Sequence, residues 1–117
     1  MSKLHLDLVR HIHVEADFLI IQSSALSKDE FLNDEIAKRA FVRSFEIIGE
    51  ASKNIPDRIK QIYPEVEWKE MARLRDRLIH HYFGVDYEIV WGIVNENIPV
   101  LKIQMMKILQ DSGKQGD

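Results

Sequence analysis

The chain has 117 residues, 45% of them hydrophobic and 30% charged, with 16 Lys and Arg against 19 Asp and Glu for a net charge of −3, and no cysteine. That length fits a single domain with one modest core, and the missing cysteines exclude a disulfide scaffold, a thiolate zinc site, an iron–sulfur cluster and a cysteine nucleophile. The mildly acidic balance argues against nonspecific coating of nucleic acid while leaving room for a local basic site. The longest unbroken apolar run is Phe18 to Ile21, far short of the roughly twenty residues a membrane span needs. Met1 to Asp7 carries no long apolar run either, so no secretory signal is expected and a cytoplasmic, membrane-free protein is.

Taken in chain order, Leu4, Leu8, Ile12, Ala16 and Leu19 recur at helical spacing and predict an amphipathic helix over 3–23. Ser27-Lys28-Asp29-Glu30 has the form of a capping box, and Asn33 is the expected cap of a helix running to about Asn54. Its apolar stripe is expected at Ile36, Ala40, Val42, Phe45, Ile47, Ile48 and Ala51. Pro56 and Pro64 bracket a short helix over 57–62, and a further helix is expected from Trp68 to His81. Gly84 then breaks the chain, and Asp86 caps a last helix over 87–111. Pro99 inside it removes a backbone bond, so a kink is expected near Asn95 to Asn97. Almost nothing alternates with a strand's period. The expected fold is all-α, a four- to five-helix up-and-down bundle over residues 1–111 followed by a loose tail over 112–117.

One helix breaks the amphipathic pattern. On an ideal wheel Met71 and Leu78 lie roughly 40–60° to one side of Arg75, with Trp68 and Ile79 roughly 20–40° to the other. Arg75 is thus expected near the centre of an apolar face, where an unpaired charge costs several kcal/mol, so it must reach a carboxylate such as Glu46 or Glu50, a phosphate, or an interface. Asp76 and His80 are four apart, so on a continuous helix the carboxylate orients the imidazole or forms an ordinary surface pair. Lys69, Arg73, Arg75 and Arg77 against Glu70 and Asp76 leave a local excess of two positive charges. That excess suits a phosphate, and it equally complements a helix C-terminus. Tyr82, seven residues after Arg75, returns to nearly the same side.

Arg75-Asp76-Arg77-Leu78-Ile79-His80-His81-Tyr82 fits the pattern R-x4-H-x-Y and resembles the signature of the HEPN superfamily, in particular its HepT-type toxins. Phe45 to Ala51, Tyr63-Pro64-Glu65 with Trp68, His80 to Asp86, Ile89-Val90-Trp91 and Ile98-Pro99 extend the resemblance over about residues 5–110. The resemblance implies a symmetric homodimer whose two motifs form one composite, metal-independent endoribonuclease site. It implies Arg75 and His80 as catalytic residues, Asp76, Arg77 and His81 as supporting ones, and no cofactor. The position after the arginine, often Asn in such proteins, is Asp76 here. It further implies a cognate minimal nucleotidyltransferase antitoxin, in a type VII toxin–antitoxin pair, that modifies Tyr82 with AMP.

The competing reading is a noncatalytic helical dimer that binds a nucleotidyltransferase partner or a nucleotide, or an antitoxin-like regulator. A metal hydrolase is disfavoured: His5, His11 and His13 show no i,i+4 pairing, and adjacent His80 and His81 aim their rings in different directions. The three N-terminal histidines are expected at the surface. The spread of apolar residues around the last helix, with Trp91 near its start, points to a dimer surface.

Overall fold

A computed structural model describes residues 1–80 and 84–114, and for Arg75, Ile79, His80 and Lys114 the backbone alone. The described residues form an all-α bundle: α1 (Lys3–Ser24), α2 (Lys28–Leu32), α3 (Glu35–Lys53), α4 (Asp57–Ile62), α5 (Trp68–Ala72), α6 (Leu74–Leu78), α7 (Tyr87–Glu96) and α8 (Ile98–Lys114). Between α6 and α7, β1 (Ile79–His80) and β2 (Gly84–Val85) form a two-residue antiparallel ladder pairing Ile79 with Val85 and His80 with Gly84. Among the described residues no helix is long and apolar enough to cross a membrane.

Helix ends follow local chemistry. Ser2 accepts from the His5 N–H to start α1, and Ser27 and Glu30 close a reciprocal capping box on α2. Asn33 ends α2 rather than starting α3: its Nδ2 donates to the Asp29 carbonyl at 2.8 Å, and Asp34 caps α3 by accepting from the Ala37 N–H. The short α4 spans the residues expected between the two prolines. Asp86 caps α7 by accepting from the N–H groups of Glu88 and Ile89.

α1 packs against both α3 and α8, while α3 carries α5 and α6 on another side. The core runs from Val9, Ile12, Ala16 and Leu19 of α1 through Phe41, Phe45 and Ile48 of α3 to Val90, Ile98, Met105 and Ile108, all fully buried. Phe31 anchors α2 in it, 4.7 Å from the Phe41 ring and stacked at 5.2 Å on Trp91. Trp91, expected at a dimer surface, is therefore half-buried inside the fold. Lys102 donates to Asp17 at 2.6 Å across α1 and α8, and that hydrogen bond holds the Asp17 carboxyl below its usual range.

Several expectations are corrected. Ile36 is 83% exposed while Phe41, absent from the expected stripe, is fully buried, because the stripe of α3 starts one turn later. The last helix is two: α7 ends at Glu96, Asn97 caps it, and α8 begins just ahead of Pro99, whose missing N–H is tolerated in a first turn. Residues 112–114, expected in a loose tail, belong to α8, with Ser112 buried; the rest of that expected tail, 115–117, lies outside the described residues. His11 is exposed, but His13 is half-buried with its Nε2 enclosed. The helix expected over Trp68 to His81 breaks twice, as described below.

Tyr63 ties the chain after α4 to α8: its hydroxyl donates to Asp111 Oδ2 at 2.9 Å. Burial, then the Asp111 carboxylate, push its pKa from 10.0 to about 12. The unfolded chain therefore gives up this proton near pH 10 and the native chain only near pH 12. The native state binds more protons within that window, so stability is full below it and falls as pH rises through it. Urea titrations across the same window should show this slope in the native sequence and its loss in Tyr63→Phe.

Candidate active site

α5 starts with Trp68, whose Nε1 donates to the Tyr63 carbonyl at 3.0 Å, and it buries Trp68 and Met71. Its last turn closes early, with the Arg73 N–H donating to the Glu70 carbonyl at 3.2 Å, and α6 begins at once. Arg73 thus interrupts the expected helix and resets its phase. The helix that the wheel assumed is therefore not continuous, and the expected apolar setting of the Arg75 side chain lies outside what the structure describes. Among the residues of the segment whose side chains are described, Trp68, Met71, Leu74 and Leu78 are buried.

The second break is at Leu78. Ile79 is β-branched and begins a run of weak helix formers, Ile79-His80-His81-Tyr82-Phe83, so little intrinsic preference sustains a further turn. The backbone pairs instead with Gly84 and Val85, and the Asp86 N–H donates to the Leu78 carbonyl at 3.1 Å, closing the base of the ladder. Gly84 sits at φ +76°, a conformation that costs a side-chain-bearing residue strain and glycine none. The expected contact between Asp76 and His80 assumed a helix through residue 80, whereas the backbone there is β1; the His80 side chain lies outside what the structure describes. His81 and Tyr82 lie outside the described residues.

Asp76 and Arg77 are both exposed; Asp76 borders two depressions and Arg77 one of them. One, of about 390 Å³, runs between α3 and the α5–α6 segment and is lined by Arg43, Glu46, Gly49, Glu50, Lys53, Ala72 and Asp76. The other, of about 480 Å³, is bounded by Glu70, Arg73, Asp76 and Arg77. The acidic residues named from spacing as partners of Arg75, Glu46 and Glu50, thus line the groove beside α6. Arg73 and Arg77 form the expected basic strip on its outer side. Among the described residues no group of three His, Asp or Glu stands as a set able to hold a metal.

The α3 wall of this groove was not read from the sequence as part of a site. Its signal is the polar stripe Arg43, Glu46, Glu50 and Lys53 opposite the apolar one, at spacings of three and four. Gly49 sets how close the walls stand. A Cβ there would lie 3.3 Å from the Met71 carbonyl oxygen and 3.6 Å from that of Ala72, so only glycine admits this approach without movement. The charge is mixed: Arg43 and Lys53 face Glu46, Glu50 and Asp76 in the first depression, and Arg73 and Arg77 stand with Glu70 and Asp76 around the second, so guanidinium groups able to meet an anion are set among carboxylates.

Comparison with known proteins gives a consistent result. The family model "Ribonuclease HepT-like" matches residues 14–108. The "Putative RNase" of Caldanaerobacter subterraneus subsp. tengcongensis is 47% identical over 102 residues, 87% of this chain and 91% of that protein. The "Probable ribonuclease HepT" of Thermococcus cleftensis is 43% identical over 108 residues, 92% of this chain and 98% of that protein. A "Putative RNase" of Methanocaldococcus jannaschii is 52% identical over 83 residues, 71% of this chain and 69% of that protein. No solved structure matches the chain significantly.

Proposed function

Because the chain belongs to the HepT-like ribonuclease family of the HEPN superfamily, we propose that it is an endoribonuclease that cleaves RNA without a metal ion, through Arg75 and His80 of two copies. The observation that carries this reading is the end of α6 at Leu78. On one ideal helix, residues five apart would stand roughly 140° apart and face different sides. With the helix ended two residues before His80, that constraint is lifted, which supports a reading in which both residue types serve the same phosphate.

In the proposed reaction the 2′-hydroxyl of one nucleotide loses its proton to a neutral His80 imidazole. Its oxygen attacks the adjacent phosphorus, forming the 2′-O–P bond. The P–O5′ bond breaks, and a protonated imidazole, His80 of the second copy, gives its proton to the leaving 5′-oxygen. The products are a 2′,3′-cyclic phosphate and a free 5′-hydroxyl. Histidine suits both proton transfers because its pKa lies near neutrality. Arg75 supplies a permanent, forked cation for the charge that builds on the equatorial oxygens. Arg77, with Arg73, offers charge to flanking phosphates, while Asp76 and His81 support the pair. The end groups test the chemistry: 2′,3′-cyclic phosphate, or the monophosphate it hydrolyses to, supports it, and 5′-phosphate ends contradict it.

The same reading makes the protein the toxin of a type VII toxin–antitoxin pair, neutralised when a nucleotidyltransferase antitoxin adds AMP to Tyr82. An adenylate two residues from His80 would bring bulk and negative charge to a site that must accept RNA phosphates. Tyr82→Phe is therefore expected to stay toxic when co-expressed with the antitoxin and to show no adenylate mass increment. An increment of the same size on the Tyr82→Phe protein would move the modification elsewhere.

A further inference from the structure

Resting on the reading that two copies share one cleavage site, we propose that they join through the outer face of α3, laid antiparallel on the same face of the second copy. Arg43 and Glu50 are both exposed on this face. They are two turns apart, about 10 Å along the axis. A two-fold axis crossing α3 midway between them, beside Glu46 and Ile47, sets Arg43 of each copy opposite Glu50 of the other. An isologous interface requires this reciprocity: whatever residue i meets on the partner must meet i in turn. A parallel alignment would instead set Arg43 on Arg43 and Glu50 on Glu50. The Arg43–Glu50 pair is therefore complementary to itself in the antiparallel orientation and not in the parallel one.

Its shape agrees with its charge. The stripe stands as a ridge between two grooves. The 390 Å³ groove lies on the α5–α6 side, and one of about 280 Å³, lined by Leu8, Ile47 and Ala51 among others, lies on the α1 side. A ridge with a groove on either side is what two helices need to pack into each other. Half-buried Leu8 and Ile47 supply apolar contact near the axis, and Ile36, 83% exposed, extends the face at one end. The consequence for the site is direct. Asp76 lines the groove on the α6 side, so pairing the two α3 ridges brings both α6 segments, each carrying an Arg75, to one axis.

The test uses the full-length chain carrying Arg43→Glu or Glu50→Arg, each alone, the two mixed, and both changes in one chain. Sedimentation at low salt gives the dimer dissociation constant, and RNA cleavage is read on the same samples. Each single variant is expected to dissociate about tenfold or more readily, since like charges then face each other twice, with the effect shrinking as salt rises. The mixture should form dimers of wild-type strength and regain cleavage, because each reversed charge then meets its opposite. The doubly changed chain should dimerise with itself for the same reason. Single variants as dimeric as the wild type, or a mixture that stays apart, would overturn the α3 interface. Unaffected dimers that still cleave RNA would leave the shared-site reading standing and send the interface elsewhere, for instance to the exposed Val100 and Ile103 of α8. A wild-type monomer that cleaves RNA would remove both.

Discussion

His80→Ala is expected to lower RNA cleavage by about 10²- to 10⁴-fold, the range that one general acid–base group contributes, without moving the midpoint of thermal unfolding. The upper end applies if both copies use this histidine, one taking the 2′ proton and the other returning one to the 5′-oxygen. Removing the residue from every chain then deletes base and acid together. Arg75→Ala should cost a comparable amount by a different route. It removes the charge that answers the developing phosphorane, so kcat should fall at saturating RNA and not only the affinity. Arg75→Lys keeps a charge but loses the planar fork, so it should fall between wild type and alanine. Mixing His80→Ala chains with Arg75→Ala chains gives a further reading. If one histidine and one arginine from different copies meet, the mixed dimer recovers part of the activity that neither variant has. The assignment fails if both single variants cleave at the wild-type rate.

Phe31→Ala is expected to destabilise the fold by about 3–5 kcal/mol, the usual cost of truncating a fully buried aromatic residue. Phe31 has no exposed surface, and its ring lies 4.7 Å from Phe41, 5.2 Å from Trp91 and 6.4 Å from Tyr87. Those three rings belong to α3 and α7, so a side chain from the five-residue α2 fills the space between two long elements. Alanine leaves that space empty, and rings fixed on two helices cannot close it cheaply. For a domain with roughly 5–15 kcal/mol of total stability the loss is a large share. Urea unfolding monitored by circular dichroism should show a much lower midpoint with an unchanged slope. Below that midpoint RNA cleavage should persist, because α2 contributes nothing to the groove beside α6. A loss under about 1 kcal/mol would mean that α2 packs far more loosely than the ring distances imply.

How much of this was legible in the sequence depends on where each feature is encoded. α1, α4 and the start of α7 were readable because their signals are local: an apolar period, two bracketing prolines, and an aspartate before a helical run. Asn33 and Asp34 are both good caps, and adjacency hid that one closes α2 while the other opens α3. Ile36 and Phe41 illustrate a phase error, since an apolar residue in a first turn can overhang the core that the next turn enters. The breaks at Arg73 and Leu78 were not readable. The first is a single early-closing turn inside a good helical pattern, and the second depends on backbone pairing with Gly84 and Val85, which periodicity does not record. Arg75 and His80 were named as site residues through the resemblance of their motif to the HEPN signature, but the groove was not legible. It exists because Gly49 lets α3 approach the Met71 carbonyl to within 3.3 Å of a would-be Cβ, a fact about two segments rather than one.

The central claim is a metal-independent ribonuclease whose chemistry rests on Arg75 and His80. The most direct measurement is cleavage of RNA by the purified protein in EDTA, after mass spectrometry has established that Tyr82 carries no adenylate, with His80→Ala prepared in parallel. The account predicts cleavage that EDTA does not slow and that this one substitution abolishes. RNA left intact by the unmodified wild-type protein, or cleavage equal in the two proteins, would contradict it.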